Sequence, residues 1–171
     1  ESKWYNGDGA MPFVQVVDVK GDMRLAENTK NQISVLAQPK SVFVPKGCVI
    51  VTLQGSIGRV AITQYDCYVD RTLAIFSDYR IDINKKYFAL QLQAKFAHEK
   101  IAARGSTIKT ITKEEFTQFE IPVPPIEVQQ EIVNILDTFT ELEAELEAEL
   151  EAELEARKKQ YHHYRDELLN F

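Results

Sequence analysis

Cysteine, tryptophan, glycine and proline are all scarce, at two, one, seven and six in 171 residues, and the scarcities narrow the function classes. Cys48 and Cys67 lie in apolar, strand-like runs with no histidine or second cysteine at metal-ligand spacing. That excludes a zinc module or a disulfide framework and fits buried thiols in a reducing compartment. No run of 18 apolar residues and no secretory leader is visible, so the expected location is cytoplasmic, with no membrane partner. Phosphate-cradling glycine loops are missing. So are the Asn/Asp-Pro-Pro-aromatic loop and the glycine-rich cofactor turn of enzymes that methylate an adenine amine. Val123-Pro124-Pro125-Ile126 has neither the polar lead nor the aromatic. No nuclease-type Asp/Glu/Lys cluster can be placed, and His98, His162 and His163 read as helix-surface or packing residues rather than ligands. The chain is expected to be catalytically silent alone, with no metal and no cofactor of its own.

One absence is local and constructive. From Ile126 to Phe171 there is neither glycine nor proline, and the tetrapeptide Glu141-Leu142-Glu143-Ala144 repeats at 145–148, 149–152 and 153–156. Pro124 and Pro125 suit the start of a helix, where their missing N–H groups have no partner to lose, and Leu, Glu and Ala are strong helix formers. One helix is predicted from about Ile126 to Asn170, roughly 67 Å long at 1.5 Å per residue. Residues 125–171 thus form a spacer or dimerisation rod. Leu142, Leu146, Leu150 and Leu154 recur every four residues, so their stripe drifts about 40° per repeat. Ile132, Leu136 and Phe139 extend the seam upstream, and Tyr161 and Leu168, with Tyr164, take it up downstream. Eight Glu residues between 141 and 155 repel one another with no cation among them. A partner helix burying the leucines would offset that cost, so an antiparallel coiled-coil pair is expected.

Residues 1–124 read as a separate, strand-rich domain, and the fold class expected is α+β: a mixed α/β domain followed by one long α-helix. Residues 1–125 hold 16 Lys and Arg against 13 Asp and Glu, a balance of +3, whereas residues 126–171 hold 4 against 13, a balance of −9. The mildly basic part permits nucleic acid without demanding it. Trp4 to Gly9 is turn-rich and Asp22 to Lys30 is polar loop. Strands are expected at Phe13–Val19, Ser41–Val44, Cys48–Leu53, Arg59–Thr63, Tyr65–Val69, Thr72–Phe76 and Phe119–Val123, with a helical turn at Ile33–Ala37. Asn84 can cap a helix over Lys85–Ala103, with Tyr87, Leu90, Ala94, Ala97 and Ile101 as its apolar face and Phe96 beside it. Thr112-Lys113-Glu114-Glu115 matches a capping box. The strand at 119–123 would feed straight into the proline pair and join the rod rigidly to the domain.

Reading base edges requires fixed donors on loops held by a rigid sheet. Two loops qualify: Gln54, Ser56 and Arg59 flank Gly55 and Gly58, and Arg104, Ser106, Thr107 and Lys109 flank Gly105. Lys20 and Arg24 in the polar loop are further candidates. Beside these readings stand blander ones, a hairpin turn whose glycines only satisfy backbone geometry and cations on a solvated surface.

Gly105-Ser106-Thr107-Ile108-Lys109, Ile121-Pro122-Val123-Pro124-Pro125, Gln129-Gln130-Glu131-Ile132-Val133 and Ile135-Leu136-Asp137 closely resemble the specificity subunits of type I restriction-modification systems. Arg157-Lys158-Lys159-Gln160-Tyr161, Tyr164-Arg165-Asp166 and the tetrapeptide repeat add to the resemblance, which covers nearly the whole chain. It implies a target recognition domain that binds double-stranded DNA, followed by one helix of an antiparallel spacer, the whole docking methyltransferase subunits and, through them, a restriction subunit. S-adenosylmethionine would then sit on the methyltransferase subunit. Such subunits usually carry two domain-plus-helix units and an opening segment before a region like Trp4–Phe13. The resemblance therefore implies either half of a longer subunit or a half-subunit pairing with its own copy. Two other readings stay open: a coiled-coil assembly module whose globular part binds protein, and the recognition domain of a fused restriction-modification enzyme.

Overall fold

The computed structural model describes residues 2–102 and 116–170, and within them seven short strands build two sheets. The first has the order β2 (Asn31–Ile33), β1 (Met11–Val14), β6 (Cys67–Val69), β3 (Val42–Val44), and the second β5 (Val60–Ile62), β4 (Val49–Thr52), β7 (Leu73–Phe76). Only β1 and β6 run parallel, with Phe13 opposite Tyr68 and Val14 opposite Val69; the other pairings are antiparallel.

β4 shows why the chain stacks in layers. Every residue of Val49-Ile50-Val51-Thr52 is buried, as expected of a strand covered on both faces. Ile50 joins Ala61 and Leu73 against Val14, Val44, Cys67 and Val69 of the first sheet. Val49 and Val51, on the opposite face, meet Ala89, Leu92 and Phe96 of α1 (Lys85–Ala102). Phe13 and Ile33 form a smaller cluster with Ala37, bordered by Trp4 and Tyr68. Asn84 caps α1 as expected: its Oδ1 accepts from the backbone N–H of Lys86 at 2.9 Å and of Tyr87 at 3.0 Å. Gly58 lets α1 close down on the sheet. A Cβ there would lie 2.5 Å from the Phe96 Cβ, and its φ of +74° is itself unfavourable to other residues.

Four expectations from sequence are corrected. The strand expected over Phe13–Val19 stops at Val14, and Val16–Asp18 is a 3-10 turn. The buried Asp18 carboxylate accepts from Gln15 N at 2.9 Å and Lys30 N at 2.8 Å, turning the chain where the alternation alone would extend it. Around Ile33–Ala37 the first residue ends β2, and the 3-10 turn comes later, at Gln38–Lys40, where Pro39 sits in its first turn. On α1, Leu90 is only half-buried while Ala94 and Ala97 are exposed; the face turned inward is Ala89, Leu92 and Phe96, with Tyr87 also buried. Both stripes have helical spacing, and the one carrying Leu and Phe removes more apolar area from water. Finally, Phe119–Val123 forms no strand. It runs on to prolines that donate nothing to a ladder, and it is held by side chains: Phe119 and Ile121 pack on the α1 cluster and Tyr87 Oη donates to Pro122 O at 3.0 Å. The capping box at Thr112–Glu115 lies outside the described residues.

α2 (Ile126–Leu169) is a single helix of 44 residues. By contacts the chain divides into two compact units, Glu1–Gln129 and Gln130–Phe171, so the first turn of α2 belongs with the globular unit. Gln129 is the reason. Buried to 1 % exposure, its Oε1 accepts from Asn84 N at 2.8 Å and its Nε2 donates to Pro124 O at 2.8 Å. In the second unit Leu142, Leu146, Leu150 and Leu154 are 54 to 58 % exposed. Arg157 reaches Glu153 at 3.3 Å and Lys158 reaches Glu155 at 3.0 Å, both in solvent.

Candidate nucleic-acid interface

The loop between β4 and β5 is organised by one buried hydroxyl. Thr52 Oγ1 donates to Ser56 O at 2.5 Å and accepts from Arg59 N at 3.0 Å, while Gly58 N donates to Thr52 O at 2.9 Å. Gly55 and Gly58 both have positive φ, +67° and +74°, which lets the loop double back within a few residues. Ile57 turns inward as an apolar plug, and Gln54, Ser56 and Arg59 are left exposed around it. A second turn lies next to this loop. Val19 and Leu25 bridge, Lys20 N donates to Arg24 O at 2.8 Å, and Asp22 Oδ1 accepts from Arg24 N at 3.1 Å, so Lys20 and Arg24 are carried on a closed turn.

The two turns meet through Arg59, whose Nη1 donates to Val19 O at 3.2 Å. Beside that contact is a hollow of about 200 Å³ lined by Lys20, Gly21, Gly58, Arg59, Gln93 and Ala97, with Val60 behind them. Two cations distant in sequence therefore share one concave surface whose walls include two glycines, an arrangement suited to a phosphate approaching bare backbone. Gln93, from α1, donates through Nε2 to Gly21 O at 3.4 Å and supplies a neutral amide at the rim. Sequence reasoning did not single it out. The small Ala97 one turn on was the only available hint of a hollow there.

Gln54 and Ser56 do not line this hollow; they stand exposed elsewhere on the loop. Arg104, Ser106, Thr107 and Lys109 lie outside the described residues. A larger cavity, about 340 Å³, opens by Trp4, Tyr5, Phe13, Lys40, Val42 and Arg71. Its walls are mostly apolar, and Lys40 Nζ lies 4.1 Å from the centre of the Trp4 ring, occupying the face on which a base could stack. Among the described residues no group of three His, Cys, Asp or Glu could hold a metal, and no helix is long and apolar enough to cross a membrane. Cys48 and Cys67 are both free and buried. Burial, then the neighbouring Asp66 and Cys48, pushes the Cys67 thiol up to about 12, so it is no nucleophile.

The architecture is that of a mixed, strand-rich domain followed by one long helix. The domain family known as the type I restriction modification DNA specificity domain matches residues 1–156, and the chain belongs to that family. It is 31 % identical over 180 residues to the type I restriction enzyme EcoprrI specificity subunit of Escherichia coli, an alignment taking in 98 % of this chain and 44 % of the relative. To a putative type I restriction enzyme specificity subunit of Haemophilus influenzae it is 52 % identical over 144 residues, 82 % of this chain and 36 % of that protein. A chain from a solved structure concerning complex assembly and conformational transition of the type I R-M system superposes with a TM-score of 0.67 at 26 % identity, covering 91 % of this chain and 38 % of that one. The HsdS subunit of Thermoanaerobacter tengcongensis shares the fold, with a TM-score of 0.62 at 23 % identity over 85 % of this chain and 34 % of that one. The chain thus spans less than half the length of these relatives.

Proposed function

We propose that this chain reads one half of a bipartite double-stranded DNA target for a type I restriction-modification complex, contributing recognition rather than chemistry. The observation that carries the reading is the convergence of Lys20 and Arg59 on a hollow bordered by Gly21 and Gly58, in a chain whose family is one of DNA specificity domains. Lys20 and Arg59 would position the duplex through phosphate, while Gln54, Ser56 and Gln93 offer the neutral donors and acceptors that discriminate bases. Arg104, Ser106, Thr107 and Lys109 are proposed as the second reading loop on their residue types alone.

In this reading α2 is the spacer that sets the separation of two half-sites. Methyltransferase subunits, which would hold S-adenosylmethionine, dock on the assembled specificity subunit, and a restriction subunit joins through them. The test is a binding titration on the cognate duplex across salt concentrations. Arg59→Ala and Lys20→Ala should each weaken binding, reducing the salt slope by about 1 where the lost contact was to phosphate. Where Arg59 reads a base, the loss should be about 1 to 3 kcal/mol and confined to one position of the site. Unchanged affinity and slope in both variants would remove this hollow from the interface.

A further inference from the structure

The four outer strands of the two sheets are not finished alike. β2 is covered by the start of the chain, where Tyr5 bridges Ile33, Asn6 N donates to Gln32 O at 2.9 Å and Ser34 N donates to Trp4 O at 3.0 Å. β5 is covered by the polar turn, Ile62 N donating to Met23 O at 3.0 Å. β3 and β7 are left open, and the cavity of about 340 Å³ lies between them, reaching Val42 on one side and Leu73 and Ile75 on the other. The alternation of ladder hydrogen bonds identifies the unused backbone groups. Asp70 N donates to Val14 O at 3.0 Å, so Tyr68 and Asp70 turn their backbone to β1 while Cys67 and Val69 turn theirs to β3. Val42 and Val44 answer them, and Phe43, between the two, points its N–H and C=O outward. Leu53 N donates to Thr72 O at 3.0 Å, and by the same alternation Ile75 points its N–H and C=O away from β4. Among the described residues nothing bonds to either outward pair.

We infer that this open side takes up an extended, acidic segment of a protein partner, which pairs with β3 through Phe43, seats apolar side chains in the cavity and sets a carboxylate against Lys40 and Arg71. Edge strands are ordinarily guarded by charge, and β3 carries none: Val42 is 56 % and Phe43 46 % exposed. A guest residue opposite Phe43 shares the face of Phe43, so its two neighbours fall on the face of Val42, above the apolar walls of Val69, Leu73 and Ile75. The free backbone is short. Pro45 has no N–H, and Ser41 N is taken by Gln38 O at 3.1 Å, so most of the affinity has to come from the cavity and from charge. Lys40 and Lys3 lie 4.1 and 5.3 Å from the centre of the Trp4 ring, and Arg71 is exposed with no hydrogen bond or ion pair among the described residues. The one acid in the lining, Asp70, is occupied by Thr72, whose N and Oγ1 donate to its Oδ1 at 2.9 and 2.7 Å. The surplus of positive charge selects an acidic guest, and the Lys40 ammonium over Trp4 stands where a base would stack. This docking depends neither on the DNA contacts nor on α2.

Trp4 is the only tryptophan of the chain and stands in the cavity wall, so its emission reports occupancy. The probe is an acetylated, amidated peptide of alternating threonine and valine closed by two glutamates, titrated onto the full chain. It should change the Trp4 emission saturably and slow hydrogen exchange at the Phe43 amide. The same peptide closed by two lysines should bind several-fold more weakly. Arg71→Glu should reverse that preference, and because Arg71 is exposed the urea midpoint should not move. Val42→Lys, which sets an ammonium in the mouth, should abolish the emission change. No saturable response to either peptide at millimolar concentration would overturn the inference, as would saturation that leaves Phe43 exchange unchanged, or equal affinity for both peptides whichever residue stands at 71. An emission change given by double-stranded DNA and by neither peptide would overturn it in favour of nucleic acid. Self-association of the chain that Val42→Lys removes would overturn it in favour of a second copy. Arg59→Ala should bind the acidic peptide like the parent, so a failed DNA hollow and a failed docking edge give separate results.

Discussion

Single residues fix the places where the domain can be changed and where it cannot. Gly58 is the tightest of them, since a methyl group there would meet the Phe96 ring while the backbone is held at positive φ. Gly58→Ala should destabilise the domain by about 2 to 4 kcal/mol, read as a lower urea midpoint. Gly7, with nothing near its would-be Cβ, lacks the steric part of that penalty, and Gly7→Ala should cost about 1 kcal/mol. A midpoint as high for Gly58→Ala as for Gly7→Ala would mean that α1 can shift to make room. Titration adds a second residue-level expectation. Burial raises Cys67, Tyr65 and Tyr79 each to about 12, from 9.0 for the thiol and 10.0 for the phenols. Above the unfolded values the unfolded chain gives up protons that the folded chain still holds, so the stability is complete below about pH 9 and falls between pH 9 and 12. The urea midpoint should be level from pH 7 to 8.5 and decline at pH 10 and above, less steeply in Cys67→Ala; a flat profile to pH 11 would contradict the burial of these groups.

Elements show what the sequence made legible and where reading it by pattern failed. The strands β3 to β7, α1 with its Asn84 cap, and α2 were all visible, because apolar β-branched runs and an uninterrupted Leu/Glu/Ala helix are local signals. The end of β1 at Val14 was not, since it depends on Asp18 binding Lys30 N twelve residues away. Nor was the inward face of α1, which two stripes of equal period contested. The hollow was half legible: Lys20 and Arg59 were candidates separately, but the contact from Arg59 to Val19 O that joins their turns crosses 40 positions. At this scale α2 also makes a prediction. Removing Glu145–Ala148 shortens the helix by about 6 Å and turns its ends by about 40°. Half-sites would then sit one or two base pairs closer, at about 3.4 Å per pair, with their bases unchanged. Methylation mapping on random DNA checks this, and an unchanged gap at full activity would show that α2 does not set it.

For the whole molecule, the exposed leucine stripe of α2 bears on what the chain can encode, should it pair two identical chains. Two identical readers related by a dyad meet the duplex with opposite polarity, and the two strands of DNA are themselves antiparallel. Each copy of a self-paired chain would therefore select the same letters, once per strand. For a self-paired chain the recognised text would be an inverted repeat, and a mutation that changes one letter would change both. Mixing two chains that share α2 but differ between β1 and the end of α1 would break that redundancy, producing an asymmetric target from two symmetric parents. Mapping methylation for each parent and for the mixture should return two palindromic sites and one hybrid, and a parent with a non-palindromic site would show that its two readers are not alike.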